Sequence, residues 1–344
     1  MTTFRLATEN DDALIRSLLR GNPMPTWVDM AIEREPSFFA GKDLVGRDWA
    51  VIAEEEGDVV GMYTASVLPA HVDRQPERLG YLGGLRVNAG YRRRIRYLRD
   101  GYASIRRLAP VTGTIPWWFT VVASENTTAR RLLESGVAGL PRYHFQGDYV
   151  TFAVATSRGK RRNLWRRATP DDVAHIVAFY NEYAARFQCS PVLTEDVVRR
   201  IGVEQFFLYE DRGIAALWDQ RAFKQIVARR YHSPLGTLRP IYNLYASLLR
   251  QIPLPREGGA LDQTSIAFLA LNDEEQPNAG ILLQDLLSHC KTRAASIGLH
   301  AKHPLVGVIR KMKPLQYPAR VYAVCFEGDA PPNGRPVQPE AALL

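Results

Sequence analysis

The stretch Leu85-Arg-Val-Asn-Ala-Gly-Tyr-Arg-Arg-Arg-Ile-Arg-Tyr-Leu98 decides how this chain is read. It opens as a short strand, breaks at Asn88-Ala-Gly90, and restarts as a helix whose first turn carries Arg92, Arg93, Arg94 and Arg96. Asn and Gly interrupt a strand because both tolerate turn conformations closed to most residues. A helix N-terminus presents unpaired N–H groups and the positive end of its dipole. With guanidinium groups beside it, this is where a phosphate-bearing ligand would sit. Further along, Trp117-Trp-Phe-Thr-Val-Val-Ala-Ser-Glu-Asn126 reads as a β-rich strand ending in an N-cap residue, and the helix from Thr127 to Ser135 stops at Gly136.

Strand, Arg-rich helix, strand, then a helix opening Asn-x-x-Ala-x-x-Leu: in this order the chain resembles the GCN5-related N-acetyltransferase (GNAT) superfamily. The residues that carry the resemblance are Leu85 to Val87, Tyr91 to Tyr97, and Asn126-Thr-Thr-Ala129-Arg-Arg-Leu132. The resemblance implies acetyl-CoA, or another acyl-CoA, held by Leu85, Arg86, Val87, Arg92, Arg93, Arg94, Ile95, Arg96, Tyr97 and Asn126. It also implies direct attack of an amine on the thioester where the fold's fourth and fifth strands splay. The family's phosphate turn, Arg/Gln-x-x-Gly-x-Gly/Ala, falls on Arg92-Arg-Arg-Ile95-Arg-Tyr97, so Ile95 and Tyr97 bring bulk to positions the family keeps small. The family's frequent acid, a Tyr on the second helix, falls at about Leu133, which donates no proton. Tyr81, Tyr143 and His144 are the catalytic candidates in its place. The acceptor expected is an amine of a small molecule or peptide. Two other readings stay open: a non-catalytic module of the same fold that binds a ligand or partner, and an aminoacyl or acyl transferase of the tandem-domain type.

The chain has 344 residues, more than one core normally supports, and it begins twice. Phe4-Arg-Leu-Ala-Thr-Glu-Asn-Asp-Asp12 and Trp165-Arg-Arg-Ala-Thr-Pro-Asp-Asp172 share a strand, a Thr/Asp cap and a following amphipathic helix. Each leads to a hairpin: Trp49–Ala53 with Val59–Val67 in the first half, Phe206–Tyr209 with Ile214–Trp218 in the second. In the second half, Thr264–Leu271 reads as a strand, and Asn278 to about Ile297 as a helix stopped by Gly298. A helix from His303 follows, and then a last strand, Arg320–Phe326, matching Asp148–Val154. The fold class expected is mixed α/β, with two tandem GNAT-like domains, each a mostly antiparallel mixed sheet flanked by helices. The boundaries expected are 1–156, a solvated basic linker at 157–163, 164–327, and a disordered Pro/Gly-rich tail at 328–344. The second domain lacks an Arg-rich turn, and Asp273, Glu274 and Glu275 precede its helix, so it reads as a degenerate copy.

Composition narrows the remaining classes. No apolar run reaches the ~18 residues that span a bilayer, so neither a membrane segment nor a membrane partner is expected, and the location expected is cytoplasmic. Cys189, Cys290 and Cys325 are odd in number and lack a Cys-x-x-Cys pair, so they read as reduced thiols and no metal site is expected. His300 and His303 have no acidic or thiol neighbour and make a poor ligand set. The net charge of +8 collects at Arg92–Arg96, Arg158–Arg162 and Arg229–Arg230, but no nucleic-acid-binding motif accompanies it, which argues against that partner. Hydrolase-elbow, phosphate-binding-loop and dinucleotide-loop spacings are absent. Oligomeric state is not legible in the sequence.

Overall fold

The computed structural model describes residues 2–24, 28–91, 95–113, 115, 117–232, 234–331 and 334–344. β1 (Thr3–Leu6) leads to α1 (Asp12–Gly21), which buries Ile15, Leu18 and Leu19, and then to β2 (Val28–Glu33). β3 (Arg47–Glu55) and β4 (Asp58–Val72) form a hairpin turned at Glu56 and Gly57, with φ of 55° and 88° as a two-residue turn requires. β5 (Gln75–Val87), α2 (Ile95–Leu108), β6 (Trp118–Ala123), α3 (Thr127–Glu134) and β7 (Arg142–Ala155) complete the first half. β8 (Arg166–Arg167), α4 (Val173–Ala184), α5 (Glu195–Ile201), β9 (Phe206–Tyr209), β10 (Gly213–Trp218) and β11 (Gln225–Tyr231) open the second. It continues with α6 (Leu235–Leu248), β12 (Gln263–Leu271), α7 (Ala279–Leu287), β13 (Ala294–His300), α8 (Leu305–Arg310) and β14 (Leu315–Cys325).

Twelve strands form one mixed sheet in the order β1-β3-β4-β5-β6-β14-β7-β13-β12-β10-β9-β8. All pairings within it are antiparallel except β5 with β6 and β12 with β13. The last strands of the two halves are exchanged. β14 slots against β6, and the C-terminal half of β7 pairs along the whole of β13, from Ala155 opposite Ala294 to Tyr149 opposite His300. The sequence matched these strands correctly but put each at the end of its own sheet. Both are apolar runs of similar length, so periodicity does not distinguish the two pairings. A two-stranded ribbon of β2 and β11 also ties the halves together.

Two more expectations are corrected. The helix expected to run to Ile297 ends at Leu287, and Ala294–His300 is a strand. Ala294, Ala295, Ile297 and Leu299 are all buried, and a run buried on both faces lacks the alternation that marks a half-exposed strand. The tail expected to be disordered is packed from Val337, 1% exposed, to Ala342. The basic linker is also held. The Asp285 carboxylate of α7 accepts backbone N–H bonds from Arg162, Asn163, Leu164 and Trp165, at 2.5 to 3.2 Å, while the Lys160, Arg161 and Arg162 side chains stay exposed.

Helices cover both faces. In the first half, α1 packs on Ala50, Ile52 and Met62, and α2 lies on the opposite face against Tyr63, Leu82 and Trp118. In the second, α4 and α5 cover Phe206, Leu208 and Phe268, with α7 and α8 opposite them on Phe152, Leu217 and Ile297. The repeat is visible at atomic level in the caps. Arg5 grips Asp11 through two bonds of 2.8 Å, and Arg166 grips Asp172 at 2.8 and 2.6 Å. Thr8 N–H donates to Asp11 and Thr169 N–H to Asp172, both at 2.8 Å.

These arginine hydrogen bonds hold both carboxyls well below their ordinary range. A folded-state pKa below the unfolded value gives stability that is full above about pH 4 and fades as pH falls below it. Asp172→Asn should therefore lower stability by about 1 kcal/mol at neutral pH, and by less at pH 3. Urea melts at the two pH values read the difference.

Candidate functional site

The parallel strands β5 and β6 are paired only at Gly80 with Trp118 and Tyr81 with Phe119, and Thr120 Oγ1 makes the last link by donating to Leu82 O at 2.7 Å. Gly80 is required at this contact, since a Cβ there would meet the Trp118 ring at 2.1 Å. Beyond it the strands part into a wedge between residues 83–87 and 121–123, and among the described residues no hydrogen bond joins the two walls. In β5 the register slips: Thr64 faces Gly83 but Met62 faces Arg86, so Gly84 and Leu85 together oppose Tyr63. Gly84 has φ of +59°, and a Cβ there would lie 2.7 Å from Thr64 Oγ1. Such a bulge leaves one residue outside the ladder and reverses the faces of those that follow.

The reversal decides where Arg86 goes. Strict alternation from Tyr81 would put it on the α2 face, but its partner Met62 packs with α1, so Arg86 shares the α1 face with Tyr81. Its Nη1 donates to Leu85 O at 2.9 Å, and its Nε is buried with no hydrogen-bond partner among the described residues. The Tyr81 hydroxyl lies along the strand, 2.9 Å from where a Gly83 Cβ would stand. Burial pushes the Tyr81 pKa up to about 12, against the pull of Arg34 and Arg86 nearby.

The second half repeats this geometry. β12 and β13 pair at Gln263–Ser265 with Ala294–Ser296, then separate, and a bulge sets Phe268 and Leu269 against Ala215, with Phe268 at φ of +52°. Here the wedge is filled by the C-terminal segment. Phe268 N–H donates to Glu340 Oε2 at 2.9 Å on one wall. On the other, Gln338 accepts from His300 N–H and donates to Gly298 O, both at 2.9 Å. Tyr149 OH fixes the segment by donating to Pro339 O at 2.7 Å. Burial lifts the Glu340 carboxyl to about 7 and lowers the Lys224 ammonium to about 7; Lys224 donates to the carbonyls of Ala342 and Leu344.

A GCN5-related N-acetyltransferase of Sphaerobacter thermophilus superposes with a TM-score of 0.53 at 13% identity, covering 98% of this chain and 97% of that one. Saccharomyces cerevisiae N-myristoyltransferase, solved with bound myristoyl-CoA, superposes at 0.57 and 8% identity, over 95% of this chain and 80% of the yeast protein. The chain has the GNAT fold. A GCN5-related N-acetyltransferase of Kribbella flavida matches at a TM-score of 0.42 and 15% identity over 80% of this chain, which spans 59% of that protein's length. No family model and no curated protein matches the sequence.

Within this GNAT fold the residues singled out in the sequence separate into groups. Leu85, Arg86 and Val87 line one wall of the first wedge, and Asn126, exposed at its mouth, caps α3 by accepting from Ala129 N–H at 3.2 Å. Arg92, Arg93 and Arg94 lie outside the described residues. Ile95 opens α2, half-buried. Arg96 turns to Glu55, at 2.9 Å, and stacks on Tyr97. Tyr97, 5% exposed, packs into the core with Ala53 and Val60 and donates its hydroxyl to Glu55, so its bulk lies under the sheet rather than in the turn.

Tyr81 stands at the apex of the wedge. Tyr143 and His144 do not join it. They lie level with Val324 and Ala323 of β14, which are level with Trp118 and Phe119, so they sit beyond an intervening strand at the closed end. Tyr143 is bonded there to Tyr102 OH at 2.5 Å. The sequence missed Arg34, whose only clue is its place just after a strand, and the bridging pair Gln338 and Glu340, which lay in a segment read as disordered. His300 and His303 are buried neutral groups. His303 Nδ1 accepts from Leu305 N–H and its Nε2 meets Tyr183 OH at 2.9 Å, while burial drops their pKa values to about 4 and about 3.

Glu340→Ala should leave Phe268 N–H unsatisfied in the second wedge and destabilise the fold by about 1–3 kcal/mol. Urea denaturation at neutral pH reads the loss.

Proposed function

We propose that the first wedge is the site of an acyl-CoA-dependent N-acyltransferase, with acetyl-CoA as the donor and an amine of a small molecule or peptide as the acceptor. What carries the reading is the contrast between two equivalent wedges. The second wedge is bridged from wall to wall by Gln338 and Glu340, whereas among the described residues no hydrogen bond joins the walls of the first beyond Leu82. The left-handed Gly84, with Thr64 tight against it, fits a backbone that must stay bulged to receive a chain between the strands.

Each residue then takes a role. The backbone of Leu85 to Val87 and the mouth at Asn126 would hold the donor's arm, and Arg92, Arg93 and Arg94 ahead of α2 would meet its phosphates. When bound, the acyl-CoA supplies an activated thioester carbonyl. The bulge amide is the group suited to polarise that carbonyl. Tyr81, protonated at neutral pH, is the residue assigned to return a proton to the departing thiolate. Arg34 and Arg86 beside it make the α1 face cationic, which favours an acceptor amine that also carries a carboxylate.

Calorimetric titration with acetyl-CoA tests the reading directly: one site per chain is expected. No heat would favour the binding-module alternative, and two sites would mean that the second wedge opens. Replacing Arg92, Arg93 and Arg94 with Ala should weaken the titration by roughly 1.5–3 kcal/mol for each charge-assisted bond lost. Tyr81→Phe should leave donor affinity unchanged and lower kcat by about a hundredfold or more. A panel of amino acids against their carboxamides, followed by thiol release, reads acceptor charge; equal rates would remove Arg34 and Arg86 from acceptor recognition.

A further inference from the structure

The helix α6 turns an apolar face to solvent. Its inner side is well anchored: Ala246 is fully buried, Asn243 exchanges two hydrogen bonds with the Leu254 backbone at 3.0 and 2.8 Å, and Tyr242 packs with Val28 and Met30. Its outer side and C-terminal end carry Leu238, Ile241, Leu244, Tyr245, Leu248 and Leu249, exposed by 47, 66, 67, 57, 76 and 46%. Leu238, Ile241, Tyr245 and Leu248 recur at the spacing that keeps side chains on one helical stripe. Of the twelve large apolar side chains exposed among the described residues, these six fall together, while the other six are scattered over the chain. Single exposed apolar residues are ordinary, but a contiguous set on one helix marks a surface that is covered in use.

Charge selects what covers it. From Gln220 to Arg256 the sequence contains no Asp or Glu, and Arg230, Arg250 and Arg256 are exposed there. At the far end of the helix, Arg158 Nη2 donates to Leu249 O at 3.3 Å, which brings the exposed Lys160, Arg161 and Arg162 alongside. Among the described residues none of these six exposed cations forms an ion pair, although Arg221 and Arg229 in the same region do. An apolar stripe flanked by cations that, among the described residues, pair with no carboxylate matches a surface that offers hydrocarbon beneath a layer of negative charge. A second copy of this chain fits less well, because a twofold contact through α6 would set one basic run close to its own copy.

We infer that α6 and the basic run 158–162 form a peripheral docking surface for anionic lipid bilayers. The helix lies along the surface with its outer stripe at the headgroup boundary, and the cations meet lipid phosphates. Nothing need cross the bilayer, in keeping with the described helices, none of which is long and apolar enough to do so. This inference is independent of the acyltransferase reading, since neither the wedge nor its lining takes part.

Co-sedimentation of the full chain with vesicles tests it, using phosphatidylcholine alone and phosphatidylcholine mixed with phosphatidylglycerol. Binding is expected only to the mixed vesicles, and raising the salt from 0.1 to 0.5 M should weaken it several-fold. The variant Ile241→Glu/Leu244→Glu/Leu248→Glu changes exposed positions only and should keep the parent melting temperature while losing about tenfold or more in vesicle affinity. Lys160→Ser/Arg161→Ser/Arg162→Ser should weaken binding through charge alone. Absence of binding to the mixed vesicles, or binding that the helix variant leaves intact, would overturn the proposal. So would a dimer in solution that the helix variant dissociates while the parent ignores vesicles, because a second copy would then cover the stripe.

Discussion

Two neighbouring parallel strands that part company leave backbone N–H and C=O groups facing each other across a gap too wide to bond. That constraint organises the molecule. A buried backbone group without a partner costs as much as a lost hydrogen bond, so each wedge has to be completed by something. In the second half the protein completes it with its own C-terminal segment, through Gln338 on one wall and Glu340 on the other. In the first half the same architecture is left for a ligand in our reading. On that reading one duplicated scaffold supplies a receptive wedge and a closed one, and the difference lies in a few residues of tail.

The bulges are the second shared device. Each places two residues of the strand beside the wedge opposite one residue of its neighbour, and each puts a residue into the left-handed region, Gly84 in one half and Phe268 in the other. Glycine takes this conformation without steric cost. Phe268 is buried, stacked between Phe206 and Trp218, and its N–H is bonded to Glu340, so packing and a buried hydrogen bond hold a conformation its own side chain disfavours. The tail therefore supports the bulge that it caps.

The exchange of β7 and β14 makes the two halves one sheet. Neither half has a free edge where they meet, and the β2–β11 ribbon joins them a second time. The α6 stripe belongs to neither wedge. Its exposure follows from the ribbon region's own small core of Val28, Met30, Ala228, Tyr231 and Leu254, which occupies only the inner side of the helix.

The sequence by itself determined the repeat, the hairpins, the Asn126 cap and the strand-then-helix order around Leu85, because each of these rests on local chemistry: a capping side chain, a turn residue, a period. Only the tertiary structure decided the strand exchange, the closure of the second wedge and the face of Arg86. Equivalent apolar strands carry no label for their partner, and a Pro/Gly-rich tail such as 328–344 looks disordered until Gln338 and Glu340 find buried backbone groups. One inserted residue at a bulge reverses every side chain after it, which places Arg86 beside Tyr81. Tyr143 and His144 were misplaced for the first of these reasons, since the distance from a strand to a wedge depends on which strands lie between.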